Sequence, residues 1–276
     1  YDRLIKILSD KISDSRFMHL IIKLIRCDNL DEMGQAVKNQ SGVPQGSILS
    51  PLLANIYLHE CVDKWFIALN ASEYDNKCTL VRYADDMVIT TKTLKDAENF
   101  RCKLALRLQE YGLELHEGKT KVIPNGQNEA AKHHAAGKQM PTFTFLGFLQ
   151  VWGISLNRKT NKTFWRVKRR TCPIRFKKKL KLMAHHLSKN RHRKDFLNYV
   201  ARIVNGYLEY FAINDNAKKI AQFVYEVRRI MFRVLNKRSE RRSLTWERFT
   251  EILKIVKFPE PRIRHSIFFD SSAYRK

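Results

Sequence analysis

The sequence predicts an α+β fold, with a small antiparallel sheet carrying helices in its first part and a basic helical bundle after it. Three observations carry this reading. Between Cys78 and Lys92 the chain is rich in Val, Ile, Thr and Tyr around the polar pair Asp85-Asp86, the pattern of two strands joined by a tight turn. Apolar residues recur at helical spacing both near the start and through the last third. From Arg158 to Arg202 there are 17 Lys or Arg against one acid, Asp195, whereas the first half is far more balanced.

Taken in order, Leu4, Ile5 and Leu8, then Phe17, Leu20, Ile21 and Leu24, predict two short helices. Ser50 followed by Pro51 predicts a helix start, with Ser as N-cap and Pro where its missing N–H is not needed, and the helix is expected to run to about Phe66. The hairpin over 78–92 follows, with the two acids at its tip. Thr93-x-x-Asp96 is a capping box opening a helix whose apolar face is Ala97, Phe100, Leu104, Leu108 and Tyr111, stopped by Gly112. A strand is expected around Leu113 to Ile123. Hairpin, helix and strand together make half of a ferredoxin-like antiparallel sheet.

The stretch from Asn125 to Gln139 reads as a loop, and Thr142 to Phe148 as a strand. The charge step then places a boundary near 157–162. Beyond it, Phe196, Val200, Ile203, Tyr207 and Phe211 mark one helix, and Ile220, Phe223, Val227, Ile230 and Val234 another, for which a three-helix bundle is the economical arrangement. The expected domains are 1–157, 158–236 and a basic tail over 237–276.

With 276 residues and 44% hydrophobic content the chain can bury a real core. Its formal charge of +25 and isoelectric point near 10.0 point to a polyanionic partner, nucleic acid foremost. Every apolar stretch meets a charge long before the roughly 20 residues that a bilayer span needs, so no membrane partner is expected. The five cysteines never occur as C-x-x-C, which suggests neither a disulfide framework nor a zinc knuckle, and reads as a reduced, intracellular protein. His133-His134 and His185-His186 lack cysteine or carboxylate neighbours at ligand spacing.

The sharpest local feature is Val81-Arg82-Tyr83-Ala84-Asp85-Asp86-Met87-Val88-Ile89. Two adjacent carboxylates between apolar strands are costly to bury unless cations compensate. Hard oxygen ligands suit Mg2+, and two such ions about 3.5–4 Å apart serve to activate a 3′-hydroxyl and stabilise a leaving pyrophosphate. Successive side chains on a strand point to opposite faces, so both acids reach one site only if the turn redirects one; Asp85 ranks above Asp86. Read alone, the pair is equally a solvated surface turn.

Tyr83-Ala84-Asp85-Asp86 resembles the polymerase active-site signature of reverse transcriptases of the group II intron kind. Upstream, Ser41-Gly42-Val43-Pro44-Gln45-Gly46-Ser47-Ile48-Leu49-Ser50-Pro51-Leu52-Leu53-Ala54-Asn55-Ile56-Tyr57-Leu58-His59 is similar, almost position for position, to that family's template-contacting block. Gly112 to Lys121 resembles the next block, Phe143 to Phe148 the primer grip, and Gly206-Tyr207-Leu208-Glu209-Tyr210-Phe211 the maturase-domain helix. The resemblance implies a partial right-hand polymerase, with a palm followed by a helical thumb. It implies catalytic and metal-binding roles for Asp85 and Asp86, and a place for Lys119 beside the triphosphate. Pro44, Gln45, Gly46, Tyr83 and Ala84 would contact the template or incoming nucleotide. Gly42, Pro44 and Gly46 also suit a loop that lets backbone approach a base pair before a helix N-terminus.

In the basic part, Arg166, Lys168, Arg169, Arg170, Arg175, Lys177, Lys178, Lys179 and Lys181 are expected to contact nucleic acid. Leu146 and Gly147 join them through the primer-grip resemblance. Lys237, Arg238, Arg241 and Arg242 form a further cluster, assigned to DNA contact. The implied partners are structured intron RNA, an RNA template with a DNA primer, dNTP and target DNA, in a bacterial cytoplasm or an organelle of bacterial descent.

Family members carry another aspartate in a strand that ends just before the position of Tyr1-Asp2-Arg3-Leu4, so the two-Mg2+ site is expected to be incomplete and the isolated chain to polymerise poorly or not at all. Two functional classes follow: an RNA-directed DNA polymerase that copies intron RNA, and a splicing maturase that binds the intron without catalysis. A retron-type enzyme shares the catalytic blocks, but the segment from Gly206 to Phe211 argues against it.

Overall fold

The structure is a computed structural model that describes residues 2–27, 29–30, 36–37, 47–157, 160–237 and 244–267. It falls into two compact units, Tyr1–Pro124 and Asn125–Lys276. Mixed helix and small antiparallel sheets make up both.

The first unit opens with α1 (Asp2–Ser9) and α2 (Ser15–Ile25). Asp14 caps α2, its carboxylate accepting from the N–H groups of Arg16 and Phe17 at 2.8 and 3.1 Å. α2 buries Met18, Ile21 and Ile25, while Phe17, Leu20 and Leu24 of the expected stripe are 40–51% exposed. Two apolar stripes lie side by side on this helix, and the one that meets Leu4, Leu8 and Leu53 is turned inward. β1 (Asn29–Leu30) pairs with β2 (Ala36–Val37).

α3 (Ser50–Leu58) carries Pro51 in its first turn, with Leu49 rather than Ser50 at the N-cap position. The helix does not stop near Phe66. It passes through a π turn, His59–Asp63, into α4 (Lys64–Glu73). Buried Asn70 ties α4 to the start of the hairpin, exchanging two 3.0 Å hydrogen bonds with the backbone of Cys78. β3 (Thr79–Tyr83) and β4 (Asp86–Thr90) pair in register from Thr79↔Thr90 to Tyr83↔Asp86. α5 (Leu94–Glu110) begins with the reciprocal Thr93–Asp96 capping box and ends before Gly112, whose φ of +67° suits glycine. α5 and α4 enclose Val62, Phe66, Phe100, Leu104 and Leu108.

The strand expected over 113–123 is absent. There the carbonyl of His116 accepts from the N–H groups of Lys119 and Thr120, at 3.1 and 3.0 Å, closing a local turn that an extended ladder would have to open. β3–β4 is accordingly a two-stranded sheet, and a ferredoxin-like sheet does not form among the described residues.

The second unit starts with a helix where a loop was expected: α6 (Gln127–Ala135), supported by its alanines, by burial of Ala130 and by the Glu129–Lys132 pair one turn apart. The strand expected over 142–148 is a tight hairpin instead. β5 (Phe143–Phe145) turns at Leu146-Gly147 into β6 (Phe148–Asn157), which pairs with β7 (Lys162–Thr171). The charge step near 157–162 thus lies inside one ten-residue strand pair, while the division between units comes earlier. α7 (Pro173–Lys189), α8 (Phe196–Phe211), α9 (Ala217–Asn236) and α10 (Trp246–Ile255) complete the unit. Their shared core holds Phe176, Leu187, Val204, Phe223, Met231 and Phe249, so α10 is a fourth member of the expected three-helix bundle. Among the described residues no helix is long and apolar enough to cross a membrane.

Candidate functional site

In the first unit the site is the tip of β3–β4. Tyr83 and Asp86 are the last register pair, which leaves Ala84 and Asp85 as a two-residue turn. Ala84 has φ +53°, a left-handed conformation that costs a non-glycine residue about 1–2 kcal/mol. Something must hold it, and Arg82 does. Its Nη1 donates to the Ala84 carbonyl at 3.0 Å and to Asn55 Oδ1 at 2.9 Å, while Nε and Nη2 donate to the two oxygens of Asp63 at 2.7 and 2.6 Å. One guanidinium therefore joins α3, the π turn and the acid-bearing tip.

The Arg82 hydrogen bond holds the Asp63 carboxyl below the usual carboxylate range; burial opposes it and His59, 3.1 Å away, adds to it. Asp63 in turn raises the Arg82 guanidinium. Period-two alternation explains this placement: Leu80, Arg82, Met87 and Ile89 face the helices, and Val81, Tyr83, Asp86 and Val88 face away.

Asp85 and Asp86 are both exposed, the solvated turn of the two alternatives that the sequence left open, and not buried between apolar strands. Asp86 shares the open face with Tyr83, which is 65% exposed, and Asp85 projects from the turn itself. Their oxygens fit a hard divalent cation in type. Among the described residues no third His, Cys, Asp or Glu gathers with them. Lys119 is exposed on the turn begun by His116, with no ion pair to either acid among the described residues. Pro44, Gln45 and Gly46 lie outside the described residues.

In the second unit the Leu146-Gly147 turn is fixed against the end of α8. Leu146 and Gly147 have φ +48° and +78°. Tyr210 donates its hydroxyl to the Leu146 carbonyl at 2.8 Å, Phe148 stacks on Tyr210 with centroids 5.8 Å apart, and a Cβ at Gly147 would lie 3.5 Å from the Phe211 ring. Buried Asn216 accepts from the Thr171 N–H at 2.9 Å and donates to Thr171 Oγ1 and the Phe211 carbonyl, tying β7 to the same helix end.

The basic residues divide by role. Arg166 is engaged inside its own unit, bidentate to Asp215 and donating to Ser155 Oγ at 2.7 Å. Burial would raise the Asp215 carboxyl, but Arg166 and the N–H of Arg169 outweigh it and hold it below the usual range. Lys168 bonds the Ile154 carbonyl. Arg169, Arg170, Arg175, Lys177, Lys178, Lys179 and Lys181 are exposed, the last five along α7 opposite buried Phe176, Met183 and Leu187. Lys237 ends α9, and Arg238, Arg241 and Arg242 lie outside the described residues.

Sequence reasoning missed Arg82, Asp63 and Asn55, and in the second unit Asp215. The signal for the first was present: an arginine at an inward position of an alternating strand needs a buried acceptor. Asp215 stands alone as an acid between Asn214 and Asn216, opposite an arginine-rich strand, and gave no comparable pattern.

Residues 5–149 match the family described as "Reverse transcriptase (RNA-dependent DNA polymerase)". The 91 kDa protein of the cob intron of Schizosaccharomyces pombe is 45% identical over 82 residues, 30% of this chain and 10% of that protein. The group II intron-encoded protein LtrA of Lactococcus lactis subsp. cremoris is 48% identical over 66 residues, 24% of this chain and 11% of that protein. YkfC of Escherichia coli K12 is 34% identical over 149 residues, 43% of this chain and 38% of that protein. The chain thus spans about a tenth of the length of the intron proteins it matches. With more than half of its length inside the family match, and with the Tyr-Ala-Asp-Asp turn seated on Arg82, the chain belongs to the reverse transcriptase family, and the relatives it resembles include group II intron-encoded proteins.

Proposed function

We propose that this chain supplies the metal-binding turn and an RNA-gripping helical part of a group II intron reverse transcriptase and maturase. Its reaction would be RNA-directed DNA synthesis from a DNA 3′-end, using dNTP and an intron RNA template, at a target DNA site in a bacterial cytoplasm or organelle. The observation that carries the reading is the Asp85–Asp86 tip, held in a left-handed turn by the Arg82 guanidinium. An exposed pair of carboxylates on a braced turn is part of what a two-metal nucleotidyl-transfer site needs from its protein.

Asp85 and Asp86 would hold Mg2+, which when bound lowers the pKa of a 3′-hydroxyl and neutralises charge on a departing pyrophosphate. Tyr83 offers an exposed ring on the same open face as Asp86, suited to the sugar or base of a nucleotide. Lys119, exposed and cationic, suits the triphosphate. Arg82 stays on the inner face and acts by orientation.

The maturase reading rests on a separate observation, the row of exposed cations on α7 backed by a packed core. Residues 158–236 would act as thumb and maturase domain and the tail over 237–276 would contact DNA. Arg166 is better suited to hold the strand pair in place than to meet phosphate.

The test is magnesium-dependent extension of a DNA primer on an RNA template by this chain, with Asp85→Ala beside it. Extension lost in the variant supports the polymerase and means that another carboxylate completes the site, against the expectation of an incomplete one. No extension by either, with tight salt-sensitive RNA binding, selects a non-catalytic RNA-binding splicing protein. Extension equal in both removes Asp85 from the site.

A further inference from the structure

The exposed face of α9 has a composition the activity above does not use. Lys218, Gln222, Tyr225, Arg229 and Arg233 fall at i, i+4, i+7, i+11 and i+15, along one side of the helix. At its far end, Tyr225, Arg229, Phe232, Arg233 and Trp246 line an open cleft of about 240 Å³ between α9 and α10. That is slightly below the range of about 300–1,000 Å³ typical of pockets for drug-sized ligands, and so suits a single flat ring better than a duplex.

Two large aromatic side chains at this cleft stay open to solvent, Tyr225 at 54% and Trp246 at 38% exposure. The indole is fixed by its neighbours: Phe232 meets it edge-on at 5.1 Å and 73°, and Phe249 lies at 5.5 Å. Arg229 leans over the Tyr225 ring at 5.7 Å and contacts Glu226 at 3.3 Å, while Arg233 has no ion pair among the described residues. α10 begins at Trp246, capped by Thr245, with Glu247 in its first turn.

Rigid aromatic rings and guanidinium groups that stack as well as pair with phosphate are together the chemistry of single-stranded nucleic acid binding. A wholly apolar partner would leave the Arg233 guanidinium without use, and a plain polyanion would leave the rings without use.

We infer that the α9–α10 cleft is a binding site for one unpaired nucleotide of an RNA strand, its base stacked on Tyr225 and Trp246 and its phosphate met by Arg229 and Arg233. The inference rests on the reading of the second unit as an RNA-binding part and adds a site that distinguishes single strands from duplex. Stacking of this kind tolerates any base, so the site selects unpaired positions and not a sequence.

The experiment measures, with the full chain, affinity for a ten-nucleotide single-stranded RNA and for a blunt RNA duplex of equal length, alongside competition by inorganic polyphosphate. Tyr225→Ala should weaken the single strand by about 5- to 150-fold and leave the duplex within about twofold. Trp246→Ala should do the same, and Trp246→Phe should restore most of the loss because a ring returns. Trp246 emission, taken as the difference between the unmodified chain and Trp246→Phe, should be quenched by the single strand and not by polyphosphate. Equal weakening of single strand and duplex, or full competition by polyphosphate, would overturn the inference and leave the cleft as one part of a general cationic surface. Single-strand binding indifferent to Tyr225→Ala would also overturn it, with the RNA-binding reading intact. Absence of any RNA binding by the unmodified chain would overturn both.

Discussion

The guanidinium of Arg82 meets both carboxylate oxygens of Asp63, at 2.7 and 2.6 Å, one strand residue away from the Tyr-Ala-Asp-Asp tip. Asp63 lies in a π turn, where one extra residue enters the helical ladder and rotates the following side chains. Such a turn inside a long helix is often found at functional sites, and here it delivers the acceptor that the hairpin requires.

Arg82→Met should therefore do two things. Loss of charged hydrogen bonds at a site where the partners are only 12% and 24% exposed should lower stability by about 1.5–3 kcal/mol in urea denaturation. Release of the Ala84 carbonyl should let the acid-bearing turn drift, and a displacement near 1 Å costs on the order of a hundredfold in rate. Arg82→Lys, with one point charge in place of a fork, should recover little of either. Normal extension by Arg82→Met would show that the tip holds its shape unaided.

Asp63 and Asp215 give the chain a defined acid limb. Both carboxyls sit below the usual range when folded, Asp63 through the Arg82 hydrogen bond and Asp215 because Arg166 and the Arg169 N–H outweigh its burial. The unfolded state then binds protons first as pH falls. Stabilisation from each is complete above the unfolded value of about 3.9 and is lost as pH drops through the lower folded value. Thermal melts of Asp215→Asn from pH 5 downward should show a shallower acid loss than the unmodified chain. An unchanged slope would mean that Arg166 does not stabilise the ionised form.

The Leu146-Gly147 turn makes a third prediction. Gly147 has φ +78° and only ordinary contact distance to Phe211, so Gly147→Ala should cost about 1–2 kcal/mol from backbone strain alone. Tyr210→Phe should cost about 0.5–1.5 kcal/mol, the net worth of its bond to the Leu146 carbonyl. Melting temperatures report both. A neutral Gly147→Ala would indicate that the turn relaxes to another type.

Much of this was legible in the sequence. The hairpin with two acids at its tip, the Thr93–Asp96 capping box and the helices over 196–211 and 217–236 follow from patterns strong enough to survive tertiary context. The misreadings have physical causes. Along α2 two apolar stripes compete, and only packing against Leu53 chooses between them. Over 113–123 a turn at His116 captures the backbone donors that a strand would have used. Over 127–135 alanines and an ion pair make a helix from residues that read as loop. The Arg82 network joins positions 19 and 27 residues apart, a distance that local patterns do not reach.

Phosphate contact by α7 is checked by salt. On a duplex, log affinity should fall with log salt by about 0.9 for each phosphate neutralised. Replacing Lys177, Lys178 and Lys179 together with Gln should flatten that slope by up to three such increments, whereas Arg166→Gln should act mainly on stability. An equal change in slope from Arg166→Gln would return that residue to the nucleic-acid surface.

Magnesium-dependent extension of a DNA primer on an RNA template, compared between the unmodified chain and Asp85→Ala, tests the central claim most directly. Extension by the unmodified chain is expected to be weak, because only two carboxylates gather at the tip among the described residues; the account predicts that what there is falls at least about a hundredfold in the variant, since even outer-shell changes at metal sites cost 10- to 100-fold, while RNA affinity stays within about twofold. Extension undiminished in Asp85→Ala would contradict it.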